Sequence, residues 1–238
     1  MRGWTAGRFL VAMSAVLLLV APVCWGARQA GTTSEEPATP RVAHFHLSGM
    51  VSETPMVDPF GLMTGEMTSL KDLLGRMDQA SADDQVKAVV LTFDRMSLGF
   101  GQVEELRRAL AHLKSAGKKV YAYAEGLDTL DYGLLCASGH LSLAPQSTLW
   151  LTGMYGESLY VKGLLDKIGV QADFLHLGDY KSAAEMFTRT SPSPAAQENI
   201  DWLFDGLYGA LVEMIAASRG QTAAEVRAWI DHGPYLAE

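Results

Sequence analysis

From Arg41 onward the chain alternates short apolar runs with segments of helical period, and that alternation restricts it to a layered α/β architecture with a largely parallel sheet. Residues 42–50 set Ala43, Phe45 and Leu47 on one face and His44, His46 and Ser48 on the other, the pattern of a half-buried strand. Two histidines at i and i+2 can share a metal. No motif places a third ligand beside them, and a solvated strand face is the simpler reading. Leu70, Leu73, Leu74 and Met77 then follow helical spacing behind Ser69. The run V-K-A-V-V-L-T-F at 86–93 is nearly continuous in apolar residues and predicts a strand covered on both faces.

Gly99-Phe100-Gly101 opens a loop into a helix carrying Val103, Leu106, Leu110 and Leu113, stopped by Gly117. A strand over 119–124, a helix over 129–137, short strands at 141–144 and 149–151, and a helix over 157–168 ending at Gly169 follow. Val170, Phe174, Leu175 and Leu177 read as a further strand-like run. Ser193 caps and Pro194 starts a long helix to about Ser218, with Gly220 beyond it. Ile200, Leu203, Phe204, Leu207, Leu211 and Met214 line one face of that helix, read as core packing with an oligomer contact as the alternative. Thr222 and Glu225 are spaced as a capping box for a last helix.

Composition sets the outer bounds. The 238 residues, 48% hydrophobic and 19% charged, describe one globular domain with an appendage. A net charge of −8 with no basic patch argues against nucleic acid as a partner. Cys24 and Cys136 lie in unrelated contexts, which excludes a disulfide framework or a metal knuckle, and nothing points to a cofactor. Residues 1–27 read as a signal peptide or membrane anchor: Arg2 and Arg8 precede an uncharged apolar stretch of 18 residues from Phe9 to Gly26. Cys24 lacks the small residues that precede a lipoprotein cysteine. The arginines favour a cytoplasmic N-terminus, so the body of the protein is expected on the extracytoplasmic side of the membrane. Residues 28–40 are a polar linker without the means to bury a core, leaving 41–238 as the folded domain.

The stretch L-H-L-G-D-Y-K-S-A-A-E-M-F at 175–187 carries one lysine, Lys181, between an apolar run ending at Gly178 and a helix-forming segment. A lone lysine among apolar and small residues suits a general base or an imine-forming amine, and equally an ordinary surface loop.

Several phrases resemble the N-terminal half of the signal peptide peptidase A (protease IV) family of membrane-bound Ser/Lys peptidases. They are K-S-A-G-K-K-V-Y-A at 114–122, L-A-P-Q-S at 143–147, Y-V-K-G-L-L-D-K-I-G-V at 160–170, S-P-A-A-Q-E at 193–198 and, most specific, G-D-Y-K-S-A-A-E-M-F-T-R at 178–189. The resemblance implies a ClpP/crotonase-like fold of repeated ββα units behind an N-terminal signal or anchor helix. It implies a homo-oligomer, peptide substrates such as spent signal peptides, and Lys181 as the general base of a Ser/Lys dyad.

A free lysine amine titrates near about 10.4, so being half neutral near pH 7.5 needs roughly 4 kcal/mol against its charged form. Burial against apolar groups supplies this and nearby carboxylates oppose it, so Asp179 and Glu185 are expected to point away from the amine. Ser182 is expected to cap the following helix. The nucleophile is missing: the family's Ser-Gly-Gly-Tyr-Tyr position aligns with Thr129 in D-T-L-D-Y, and Ser138 in Ala-Ser-Gly fits the start of a buried strand. A serine-bearing C-terminal half or a partner subunit is therefore expected to supply it. The family's glycine-rich turn maps to Gly99 and Gly101, candidates for the oxyanion hole, with Phe100 interrupting them. Two other classes stay open: a non-catalytic membrane-tethered assembly module, and a crotonase-type acyl-thioester enzyme, against which the leader and acidic charge argue.

Overall fold

The computed structural model describes residues 39–54 and 67–238. The expected leader at 1–27, and all of the 28–40 linker but its last two residues, lie outside the described residues. Among the described residues no helix is long and apolar enough to cross a membrane.

Two sheets organise the domain. The larger is parallel throughout, in the order β2 (Met67–Ser69), β1 (Arg41–Ser52), β3 (Val86–Ser97), β4 (Lys119–Ala124), β6 (His140–Leu143). The smaller joins β5 (Leu127–Asp128) to β7 (Thr148–Trp150) in parallel and β7 to β8 (Tyr235–Leu236) in antiparallel fashion. Helices α1 (Leu70–Ala82) and α2 (Phe100–Ser115) pack on one face of the large sheet. Helices α3 (Thr129–Leu135), α6 (Pro194–Arg219) and α7 (Ala223–His232) complete the core, while α4 (Lys162–Lys167) and α5 (Glu185–Thr188) are short. The order strand–strand–helix recurs as β1-β2-α1, β4-β5-α3 and β6-β7-α4.

Side-chain alternation explains why the sheet takes its helices on one side. Phe45 and Leu47 of β1, Val89, Leu91 and Phe93 of β3 and Val120, Ala122 and Ala124 of β4 are all buried. They meet Leu73 and Met77 of α1 and Val103, Leu106, Leu110 and Leu113 of α2, which recur at the three- and four-residue spacing of one helical face. Each buried Val, Leu, Phe or Met among them contributes about 1.5–3 kcal/mol. The other face of the sheet is open. His44, His46, Tyr121, Tyr123 and His140 are exposed there, and Ala88, Val90 and Thr92 are only half-buried. The expectation that β3 is covered on both faces is corrected: its outward residues stand beside these polar aromatics, with no layer over them among the described residues.

The helix ends follow their capping chemistry. Ser69 accepts a hydrogen bond from the Asp72 N–H, Ser193 accepts from Ala196 with Pro194 in the first turn, and Thr222 and Glu225 form the reciprocal box. Helix α6 buries Leu211, Val212 and Ile215 in its C-terminal half, but its N-terminal half leaves Trp202 and Leu203 exposed, so the predicted apolar face is core for only part of its length.

Two predicted elements shrink. The helix expected over 157–168 is reduced to Lys162–Lys167, and the run at 170–177 forms no strand. Leu164 and Ile168 find no surface to cover, and Val161 caps α4 without a side-chain hydrogen bond. A short helix or an unpaired strand without tertiary packing is marginal in water.

Candidate active site

Lys181 stands at the start of a single 3-10 turn, Ser182–Ala184, which leads into α5. Gly178, at φ 92, reverses the chain just before it, a conformation that favours glycine, and the Lys181 N–H donates back to the Gly178 carbonyl at 3.2 Å. The lysine side chain is exposed and makes no hydrogen bond or ion pair among the described residues. Ser182 does not cap: Lys181 holds the cap position, without a side-chain cap bond, and that expectation is corrected.

Of the two acidic neighbours, Glu185 is held elsewhere. Glu185 accepts from the Ser193 hydroxyl at 2.5 Å and the Ser193 N–H at 2.8 Å, and these bonds hold its carboxyl below the usual glutamate range. Tyr180 donates its hydroxyl to Glu198 at 3.0 Å, a bond that raises the phenol above its usual range. The two contacts tie the lysine turn to the start of α6. Just before the turn Leu175 is 99% exposed and Leu177 85%, while Phe174 stacks on Phe187. Two bare leucines beside the lysine along the chain are a surface that a contact would cover.

A second feature lies at the C-terminal ends of β3 and β4. Phe93, Asp94, Arg95, Met96, Ser97, Glu125, Gly126, Leu127, Asp128, Asp131, Thr148 and Trp150 line a cavity of about 870 Å³. Lys181 is not among them. Burial, with the charge of Asp128 second, pushes Asp131 up to about 7. Thr129 sits beside this cavity at the start of α3. Its hydroxyl lies 2.9 Å from the Trp150 carbonyl and 2.7 Å from the Thr152 carbonyl, and it accepts the Thr152 N–H at 2.9 Å. Ser138 is buried and bonded to the carbonyls of Leu135 and His140 at 2.7 and 3.1 Å. Both hydroxyls tie backbone segments together.

Gly99 is the N-cap of α2, and its N–H donates to Gln102 Oε1 at 2.9 Å, so that donor is occupied. Gly101 lies in the first turn of the same helix, where backbone N–H groups have no helical acceptor. Among the described residues no group of three His, Cys, Asp or Glu side chains gathers to hold a metal. The Glu185–Ser193 clamp and the cavity at the strand ends are absent from the sequence reading.

The fold is a mixed α/β domain built on a parallel sheet. Residues 112–238 match Peptidase family S49, more than half of the chain, and the chain belongs to that family, the signal peptide peptidase A group. It is 29% identical over 170 residues to the chloroplastic serine protease SPPA of Arabidopsis thaliana, covering 71% of this chain and 25% of that protein. It is 28% identical over 216 residues to Protease 4 of Salmonella typhi, covering 85% of this chain and 35% of that one. The chain thus spans about a quarter to a third of the length of these relatives. Among solved structures, a membrane-bound stomatin-specific protease overlaps with a TM-score of 0.42 at 10% identity, covering 84% of this chain and 74% of that one. An enoyl-CoA hydratase/isomerase family protein from Silicibacter pomeroyi overlaps with a TM-score of 0.27 at 13% identity, covering 67% of this chain and 82% of that one.

Proposed function

We propose that this chain is the lysine-bearing portion of an extracytoplasmic, membrane-associated Ser/Lys endopeptidase that degrades apolar peptides such as cleaved signal peptides. The recurrent strand–strand–helix order is read as ClpP/crotonase-like. Lys181 takes the proton of a serine hydroxyl as that oxygen attacks a peptide carbonyl, the serine coming from a C-terminal half or a partner subunit. Gly101 is the remaining candidate in this chain for an oxyanion donor.

The observation that carries the reading is the surface around Lys181. The amine stands in water in this chain, its acidic neighbour Glu185 is turned onto Ser193, and Leu175 and Leu177 just before it are bare. A complementary surface laid over Lys181 and the neighbouring Leu175 and Leu177 would exclude water from the amine, which is the condition for its neutral form at working pH. The same apolar region accounts for a homo-oligomer.

The test is hydrolysis of a fluorogenic apolar peptide by this chain alone and by the chain joined to a serine-bearing second half. Activity only in the joined form, blocked by a serine-directed phosphonate, supports the reading. A joined form that assembles and hydrolyses nothing favours the second reading, a membrane-tethered assembly module of the same fold. That alternative draws on the engagement of Thr129 and Ser138 in backbone hydrogen bonds.

A further inference from the structure

On the open face of the large sheet, His44 Nε2 and His46 Nδ1 converge on one atom, the Thr92 hydroxyl oxygen, at 2.9 and 3.0 Å. Along the chain the two histidines lack a third partner. The parallel register provides one, because His46 pairs with Thr92 and His44 with Val90, so the neighbouring strand places a hydroxyl between the two rings. We propose that His44, His46 and Thr92 form an exchangeable site for a borderline divalent transition ion, with Cu²⁺ preferred over Zn²⁺.

The chemistry follows from the geometry. Imidazole nitrogen suits copper, zinc and nickel, and affinity among these rises to Cu²⁺. Metal–nitrogen bonds are about 2.0–2.1 Å long, so neighbouring donors on one ion lie about 2.9–3.3 Å apart, and each ring nitrogen already stands at 2.9–3.0 Å from the Thr92 oxygen. The lone pairs of His44 Nε2 and His46 Nδ1 bind the ion. The ring protons then sit on His44 Nδ1 and His46 Nε2, which is the neutral tautomer for each ring. The Thr92 hydroxyl turns its oxygen to the ion or to a water bound on it. Both histidines are exposed, so water fills the remaining positions and the ion exchanges freely, unlike a closed structural site. Asp94, two residues beyond Thr92 and also exposed, adds negative charge on the same face, within a chain of net charge −8.

The test uses the full chain, stripped of metal, titrated with Cu²⁺ and separately with Zn²⁺ by calorimetry, with electron paramagnetic resonance of the copper form. The expected result is one ion per chain with a Kd on the order of micromolar, tighter for Cu²⁺, and an axial spectrum split by two nitrogens. His44→Ala and His46→Ala each weaken binding by roughly tenfold or more, and Thr92→Val weakens it less. His112→Ala, which removes the ring beside Asp78, and His140→Ala leave it unchanged. Binding that survives the double His44→Ala/His46→Ala change, or that is lost with His112 instead, overturns the site, as does a folded chain that takes up neither ion.

Discussion

The carboxylate of Glu185 accepts two hydrogen bonds from Ser193, eight residues on, and in doing so closes the loop between the lysine turn and helix α6. The bond to the Ser193 side chain leaves its oxygen able to accept the Ala196 N–H, so the clamp and the helix cap share one hydroxyl. The lysine turn is thereby fixed to the first turn of the longest helix, with its nearest glutamate committed elsewhere.

Glu185→Gln should loosen that loop without unfolding the domain. These bonds hold the Glu185 carboxyl low, so their contribution is present above the usual glutamate range and is lost as pH falls through the lowered value. In an NMR titration the Ser193 amide should shift with a midpoint below the ordinary glutamate value, and the shift should vanish in the variant. A Ser193 amide that titrates in Glu185→Gln as in the parent contradicts the clamp.

Asp131 has the opposite sign. Its carboxyl is raised to about 7 from 3.8, so its contribution is fully present below the unfolded value and is lost as pH rises through 7. Asp131→Asn should therefore raise Tm at pH 8 relative to the parent, and the gain should shrink by pH 5. A gain that is equal at both values contradicts the burial argument.

Gly233 is a matter of space. A Cβ there would overlap the Leu151 carbonyl oxygen, a backbone atom that cannot swing away. Gly233→Ala should cost about 2–3 kcal/mol and lower Tm by roughly 5–10 °C. Gly163→Ala, in α4 with nothing within 4 Å of the added carbon, is the matched control and should leave Tm unchanged or slightly higher.

Thr129, the residue expected at the family's serine position, holds backbone segments together. Thr129→Ala removes its bonds to the Trp150 and Thr152 carbonyls and the Thr152 N–H, and should destabilise the chain by about 1–2 kcal/mol. Peptide hydrolysis in the complete assembly should persist. Loss of turnover in a folded Thr129→Ala assembly would make that hydroxyl the nucleophile.

Where the chain packs on itself, its elements were legible in the residues. Lys119–Ala124 has the predicted bounds, α1 and α2 follow the spacing of Leu70, Leu73, Leu106 and Leu110, and Ser193, Pro194 and Thr222 mark their helix starts. Periodicity failed at 157–177, where the apolar residues face outward and no packing consolidates helix or strand. It also missed β8, whose two residues are a strand only because Thr148 and Leu149 pair with them. Lys181 was singled out from its setting, yet no local pattern could say whether its amine is covered. That depends on atoms distant in sequence, as does the meeting of His44, His46 and Thr92.

The most direct test of the central claim is peptide hydrolysis by the complete assembly carrying Lys181→Ala, read beside Lys181→Arg, which keeps the charge but cannot be neutral at working pH. The account predicts that both variants assemble and fold normally and that kcat falls by a factor of about 10³ or more in each. Turnover retained in either folded variant would contradict the role of Lys181 as general base.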